Sequence, residues 1–343
     1  MRKLLNTLYV TTPDTYLALD GENVVVYREQ EILLRVPLHT LENIFYFGYK
    51  GASPALMGAC AERSIRLSFL TPQGRFLASA CGQARGNVLL RAQQVRISDD
   101  LNKSVLYARN FIIGKVYNSR WLLERSVRDH ALRIDTTAVK TVCSQLVTAL
   151  SRIEECQDME QLRGLEGAAA EQYFGVLDQM ILQNKKVFTF KGRNRRPPLD
   201  PVNALLSFVY VLLTSDCTAA LETVGLDPYI GFMHRSLPGR TSLALDLMEE
   251  LRSIMADRAV IALINQRMIH EKDFLRQESG AVYLNDEGRK TVLSFWQQRK
   301  QETIVHPYLQ EKIPWGLVPY VQALLLCRSI REDIEEYPPF LWK

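Results

Sequence analysis

Residues 101–131, LNKSVLYARNFIIGKVYNSRWLLERSVRDHA, contain no proline and one glycine. They follow a helical period, and Ser98-Asp99-Asp100 stands in front of them as a cap. Upstream the period is two. TLYV (7–10), TYLALD (15–20), NVVVYRE (23–29), EILLRVPL (31–38) and NIFYFG (43–48) are short β-branched and aromatic runs, broken at Pro13, Asp14, Gly21 and Gly48. Asp20-Gly21-Glu22-Asn23 reads as a hairpin turn. Residues 53–62 read as a short helix, SIRLSFL (64–70) as a buried strand, and Gly74 turns the chain into FLASACG (76–82). Downstream, Asp158 with Gln161 resembles a capping box, and Asp200-Pro201 reads as an N-cap and first helical residue. Pro314 and Tyr337-Pro338-Pro339 mark further breaks. The change of period predicts an α+β chain: a small N-terminal β-rich domain over 1–85, then a larger all-α domain over 86–343.

A chain of 343 residues is long enough for two cores, and 47% hydrophobic with 23% charged residues is ordinary for a globular protein. The net charge of +4 is weak support for a polyanionic partner, so the distribution of charge has to carry that argument. Six cysteines lie scattered without a CxxC pair, which argues against a zinc ribbon or a disulfide scaffold and fits a reducing cytoplasm. The opening MRKLLNTLYVTTPD has no apolar core of secretory length, and the uncharged apolar run 204–213 is too short to span a bilayer. The expectation is a cytoplasmic protein with no membrane partner. Phosphate-binding GxGxxG and GxxxxGK[ST] loops, GxSxG and HExxH are all absent.

The chemistry-bearing positions are hard-ligand residues spread over the helical part. Glu166 shares a helical stripe with Leu162, Ala169 and Tyr173, where a carboxylate is costly to bury unless a cation meets it. The small residues Gly164, Gly167 and 168–170 around it let another element approach. A plain ion pair with Arg163 is the competing reading. His234 sits in GFMHR (231–235), just before Pro238-Gly239; it reads as a metal ligand or as an ordinary loop histidine. Asp246, Glu249 and Glu250 in SLALDLMEELR (242–252) fall at spacings of three and four, on one helix face, with Leu243, Leu247, Leu251 and Ile254 opposite. That face reads either as solvated and balanced by Arg252, or as a cation site. Carboxylates with one imidazole suit Mg²⁺ or Mn²⁺.

Between these positions lies KKVFTFKGRNRR (185–196), six positive charges in twelve residues with no acid. Lys185, Lys186, Lys191, Arg193, Arg195 and Arg196 are candidate phosphate contacts, with Asn203 a local hydrogen-bonding residue; a solvated loop is the alternative.

In LRGLEGAAAEQYF (162–174), FKGRNRRPPLDPVNALLSFVY (190–210), GFMHRSLPGRTSLALDLMEELR (231–252) and QESGAVYLNDEGRK (277–290), the chain resembles the CRISPR-associated adaptation integrases, the Cas-one family, over essentially its whole length. The wording of 234–252 and the closing YPPFLWK look most like the I-C subtype. The resemblance implies a metal held by Glu166, His234 and Glu249, with Asp246 supporting the site. Glu249 stands where many relatives have aspartate, and Ser253 where they often have proline. It further implies a homodimer that joins a Cas-two dimer, captures double-stranded protospacer DNA and inserts it at a CRISPR repeat by phosphoryl transfer from a 3′-hydroxyl. Two rivals remain: a DNA-capturing assembly protein with weak or vestigial catalysis, and a helical phosphohydrolase of small phosphoesters.

Overall fold

The computed structural model describes residues 6–63, 65–72, 74, 76–80, 88–194, 196–235 and 237–343. The joint expected at residues 85 and 86, Cys81 and Arg195 lie outside them. The chain forms two compact units, one made of Met1–Arg85 with Leu284–Glu302, the other of Gly86–Tyr283 with Thr303–Lys343. A β-rich N-terminal region followed by a helical region is the architecture the change of period predicts.

The first unit holds two sheets. Strands β2 (Thr15–Asp20), β3 (Asn23–Arg28) and β4 (Glu31–Pro37) form an antiparallel meander, with Asp20 paired to Asn23 across the expected turn. Strand β1 (Thr7–Val10), β5 (Asn43–Phe47), β6 (Arg66–Leu70) and β7 (Phe76–Ala80) form the second sheet in the order β1-β5-β6-β7. β5 and β6 run parallel, which requires a crossover, and helix α1 (Pro54–Glu62) supplies it. Ser53 caps α1 by accepting from Leu56 N. Leu17, Val24, Ile44, Tyr46, Leu56, Cys60 and Leu67 make the core of this unit. Helix α9 (Asp286–Gln301) belongs to residues grouped with this unit, although the sequence places it among the helices of the second.

The second unit is mainly helical but not all-α: it also holds the antiparallel strand pair Thr303–Val305 and Lys312–Pro314. Its spine is α3 (Leu101–His130), preceded by α2 (Val88–Asp99) and followed by α4 (Thr136–Glu154), α5 (Met159–Val176), α6 (Pro201–Val224), α7 (Ser242–Leu251), α8 (Arg258–Asn265) and α10 (Val318–Ile330). Asp100, Asp158 and Asp200 cap α3, α5 and α6 by accepting backbone N–H groups of their first turns. Between α7 and α8 the helix widens into a π turn, Arg252–Asp257.

The apolar run in α6 extends past the stretch read from sequence. The helix reaches Val224, long and apolar enough by composition to cross a membrane, yet 67% of its most apolar window is buried within the protein. It is the core helix of this unit. α7 is buried on every side, Asp246, Glu249 and Glu250 included, so the solvated acidic face does not exist.

Candidate active site

Three helices bring Glu166 and Glu249 together. α3 carries Lys115, whose Nζ donates to Glu166 Oε1 on α5 and lies 2.8 Å from Glu249 Oε2 on α7. Arg163 is engaged elsewhere, with Glu160 and the Met233 carbonyl, so Glu166 does not take the neighbouring arginine as its partner. Arg252 donates to Glu249 Oε1 at 2.6 Å. Burial pushes the Glu249 carboxyl upward, but Arg252, Lys115 and His234 outweigh it and hold it down at about 2. A carboxylate so held is an anion at any working pH.

Asp246 works on a different segment. Its carboxylate accepts from the backbone N–H groups of Phe232 (2.6 Å), Met233 (3.0 Å) and His234 (3.0 Å). Oδ1 also lies 2.5 Å from His234 Nδ1. An ionised carboxylate only accepts, so the proton of this pair belongs on Nδ1 and the ring's other nitrogen, Nε2, keeps a lone pair when the ring is neutral. Gly231 makes the turn possible: a Cβ there would stand 2.8 Å from Ser242 Cβ and 2.9 Å from Asp246 Oδ2. Asp246 and Glu249 thus make hydrogen bonds and ion pairs with different groups despite their shared spacing.

Behind Arg252 a buried polar cluster fixes its position. Asp257, at the end of the π turn, accepts from Tyr173 Oη at 2.9 Å and Tyr210 Oη at 2.6 Å. Burial raises the Asp257 carboxyl against those hydrogen bonds. The guanidinium groups of Arg252 and Arg193 lie 5.1 and 5.2 Å from the Tyr210 ring centroid.

The basic loop divides. Lys185 pairs with Asp178 at 2.6 Å, and Arg193 donates to Asn203 Oδ1 at 2.7 Å and Ser207 Oγ at 3.0 Å. Asn203 also donates to the Gly192 carbonyl and Asp200, which ties the loop to the start of α6. Lys186, Lys191 and Arg196 are exposed. Phe188 and Phe190 are buried and anchor the loop instead of interleaving with its charges at the surface.

Lys115 is the residue that sequence reading missed. The signal was a lysine among Phe111, Ile112 and Val116 on α3, all buried, where an unpaired ammonium is not tolerated. As a donor set, Glu166, Glu249 and the Nε2 lone pair of His234 suit a hard divalent ion. Glu249 Oε2 is buried, with Lys115 Nζ 2.8 Å away as its counter-charge. Among the described residues, no three His, Cys, Asp or Glu side chains close into a ready cage.

Comparison with known proteins agrees over the whole chain. The family model for CRISPR associated protein Cas1 matches residues 8–298. The CRISPR-associated endonuclease Cas1 1 of Chlorobaculum tepidum is 48% identical over 343 residues, all of both chains. The CRISPR-associated endonuclease Cas1 2 of Rhodospirillum rubrum is 49% identical over 347 residues, again all of both. Among solved structures, a casposase bound to integration product superposes with TM-score 0.84 at 22% identity, covering 98% of this chain and 93% of that one. A Cas1 protein from Thermotoga maritima gives 0.81 at 22% identity, covering 95% of this chain and 97% of that one. The solved structures share the fold, and the family model with the full-length identities places the chain in the CRISPR-associated Cas1 family.

Proposed function

We propose that this chain is a metal-dependent DNA endonuclease and integrase of CRISPR adaptation. The observation that carries the reading is the meeting of Glu166 and Glu249 from separate helices at one buried cation, with Asp246 fixing the loop and ring of His234 beside them. Glu166, Glu249 and His234 would hold Mg²⁺ or Mn²⁺. Such an ion supplies polarisation of the scissile phosphate and stabilises charge on the attacking and leaving oxygens.

The chain's own residues do the rest. Lys115 bridges both carboxylates, and together with Arg252 it holds that of Glu249 as an anion. Asp246 holds the proton on His234 Nδ1, so that Nε2 keeps its lone pair for a ligand. Lys186, Lys191 and Arg196 bind the DNA backbone, and a DNA 3′-hydroxyl or a water is the nucleophile. Membership of the family supports a homodimer and a Cas2 dimer as partners, with protospacer duplex and CRISPR repeat as substrates. The wording of 234–252 and the YPPFLWK end support the I-C subgroup.

The test is plasmid nicking and strand transfer of a short duplex with Mn²⁺. Glu166→Gln and Glu249→Gln should each lose at least about 100-fold in rate, the scale of a lost transition-state charge stabiliser, while still binding DNA. Full activity in either variant overturns the assignment. DNA binding without any strand transfer by the wild-type chain would instead identify a capturing assembly protein.

A further inference from the structure

Glu250 follows Glu249 directly, and the two neighbours face opposite tasks. Its carboxylate is fully buried. Oε1 accepts from Tyr337 Oη and from Gln322 Nε2 at 3.1 Å, and Oε2 accepts from the Phe340 N–H at 2.7 Å. Gln322 also donates to Tyr337 Oη at 2.7 Å and to the Pro338 carbonyl at 3.2 Å, and its Oε1 lies 3.1 Å from His306 Nε2. A buried acid has therefore become the mooring of the C-terminal segment.

The segment reaches α3 at the same level. Asn118 lies one turn beyond Lys115, and its Nδ2 donates to both the Glu250 and the Phe340 carbonyls at 2.7 Å, while its Oδ1 accepts from the Trp342 N–H at 2.9 Å. Asn110 donates to the Tyr337 carbonyl at 2.9 Å. Between them is Gly114, where a Cβ would stand 2.6 Å from Glu250 Cβ. A side chain at 114 would not fit between the two helices at that point. Tyr337 packs on Phe111, and the Trp342 ring meets the guanidinium groups of Arg125 and Arg258 at 5.6 and 4.8 Å from its centroid.

We infer that the C-terminal segment 337–342 is a strap that clamps α7 to α3 and so positions Glu249 against Lys115; this rests on the catalytic reading above. A tail serving stability alone needs only apolar burial. This one sends its polar groups to the residue beside Glu249 and to the residue one turn from Lys115. Loosening it lets α7 shift or roll on α3, which displaces the Glu249 carboxylate without touching the DNA surface. Glu250 and the strap are positioning elements and contact no substrate.

Full-length Tyr337→Phe removes one hydrogen-bond donor to Glu250 and keeps the ring. It should lower kcat for plasmid nicking by about tenfold, the scale of a small misplacement of a reacting group, with KM for DNA within about twofold. Its affinity for Mn²⁺ alone, read by electron paramagnetic resonance, should weaken several-fold, and α7 amides should exchange faster. Glu250→Gln, which keeps an accepting oxygen, should fall less than Glu250→Ala. Ile153→Val on α4 serves as a destabilised control, and its kcat should not change. If Tyr337→Phe does not fold, Trp342→Phe must show the same separation of kcat from KM. Wild-type kcat and Mn²⁺ affinity in the strap variants, with only a lowered melting temperature, would overturn the strap. A wild-type chain that neither binds Mn²⁺ nor nicks DNA would overturn the catalytic reading and the strap with it.

Discussion

At the scale of single residues, Lys115 settles how a buried carboxylate, Glu249, and a half-buried one, Glu166, coexist. Its side chain is 10% exposed and that of Glu249 5%, so the pair has little water to fall back on. Breaking a buried pair by removing one partner costs roughly 3–5 kcal/mol, because the charge left behind has lost its counter-ion. Lys115→Met should therefore lower stability by about that much in metal-free buffer. A divalent ion binding the same oxygens adds stability in proportion to RT ln(1 + [L]/Kd). Millimolar Mn²⁺ should raise the melting temperature of Lys115→Met by more than it raises that of the wild type. Thermal denaturation with and without Mn²⁺ reads both effects, and a variant insensitive to the ion would remove the metal from this pair.

At the scale of elements, what is local is legible and what is long-range is not. The caps at Asp100, Asp158 and Asp200 lie next to the helices they start, and the sequence shows each of them, while Ser53, read as part of its helix, is the cap of α1. The change of period near residue 87 separates strands from helices for the same reason. Glu166 shows the limit: its visible neighbour is Arg163, three residues away, but its partner is Lys115, on another helix. Likewise the acids of α7 look like a solvated face because, apart from Arg252 beside Glu249, their partners in the loop at 232–234, on α3 and in the tail are distant in sequence. Gly114 makes the point energetically. Glycine inside a helix costs about 1 kcal/mol relative to alanine, so Gly114→Ala would gain that much on propensity alone. The new Cβ would meet Glu250 Cβ at 2.6 Å, and because that atom is the root of its side chain, one backbone must move. Overpacking typically costs about 1–3 kcal/mol, occasionally more. The clash should win, leaving Gly114→Ala less stable than wild type by denaturant melting. Equal or greater stability would show that α3 and α7 are not in contact as described.

At the scale of the whole molecule, the net charge of +4 says little, because 42 basic residues nearly balance 38 acidic ones. Placement decides what the charge can do. Within the basic loop, Lys185 is paired with Asp178, and Arg193 is bound to Asn203 and Ser207 and stacked on Tyr210. Those two charges hold the loop in place. Among the described residues of the loop, the charges left to meet phosphates are Lys186, Lys191 and Arg196, all exposed. Each phosphate neutralised on duplex DNA contributes about 0.9 to the slope of log K against log salt. Changing all three to glutamine should flatten that slope by roughly 2–3 for duplex DNA, and binding should weaken most at low salt. Arg193→Gln should act differently: it loosens the loop and disturbs the Tyr210 stack beneath Arg252, so strand transfer should fall with a smaller change in salt slope. Titration of fluorescent duplex at four or more salt concentrations separates the two kinds of residue. An unchanged slope in the triple variant would place the DNA path elsewhere on the protein, and an equal slope change in Arg193→Gln would return that arginine to the phosphate-binding set.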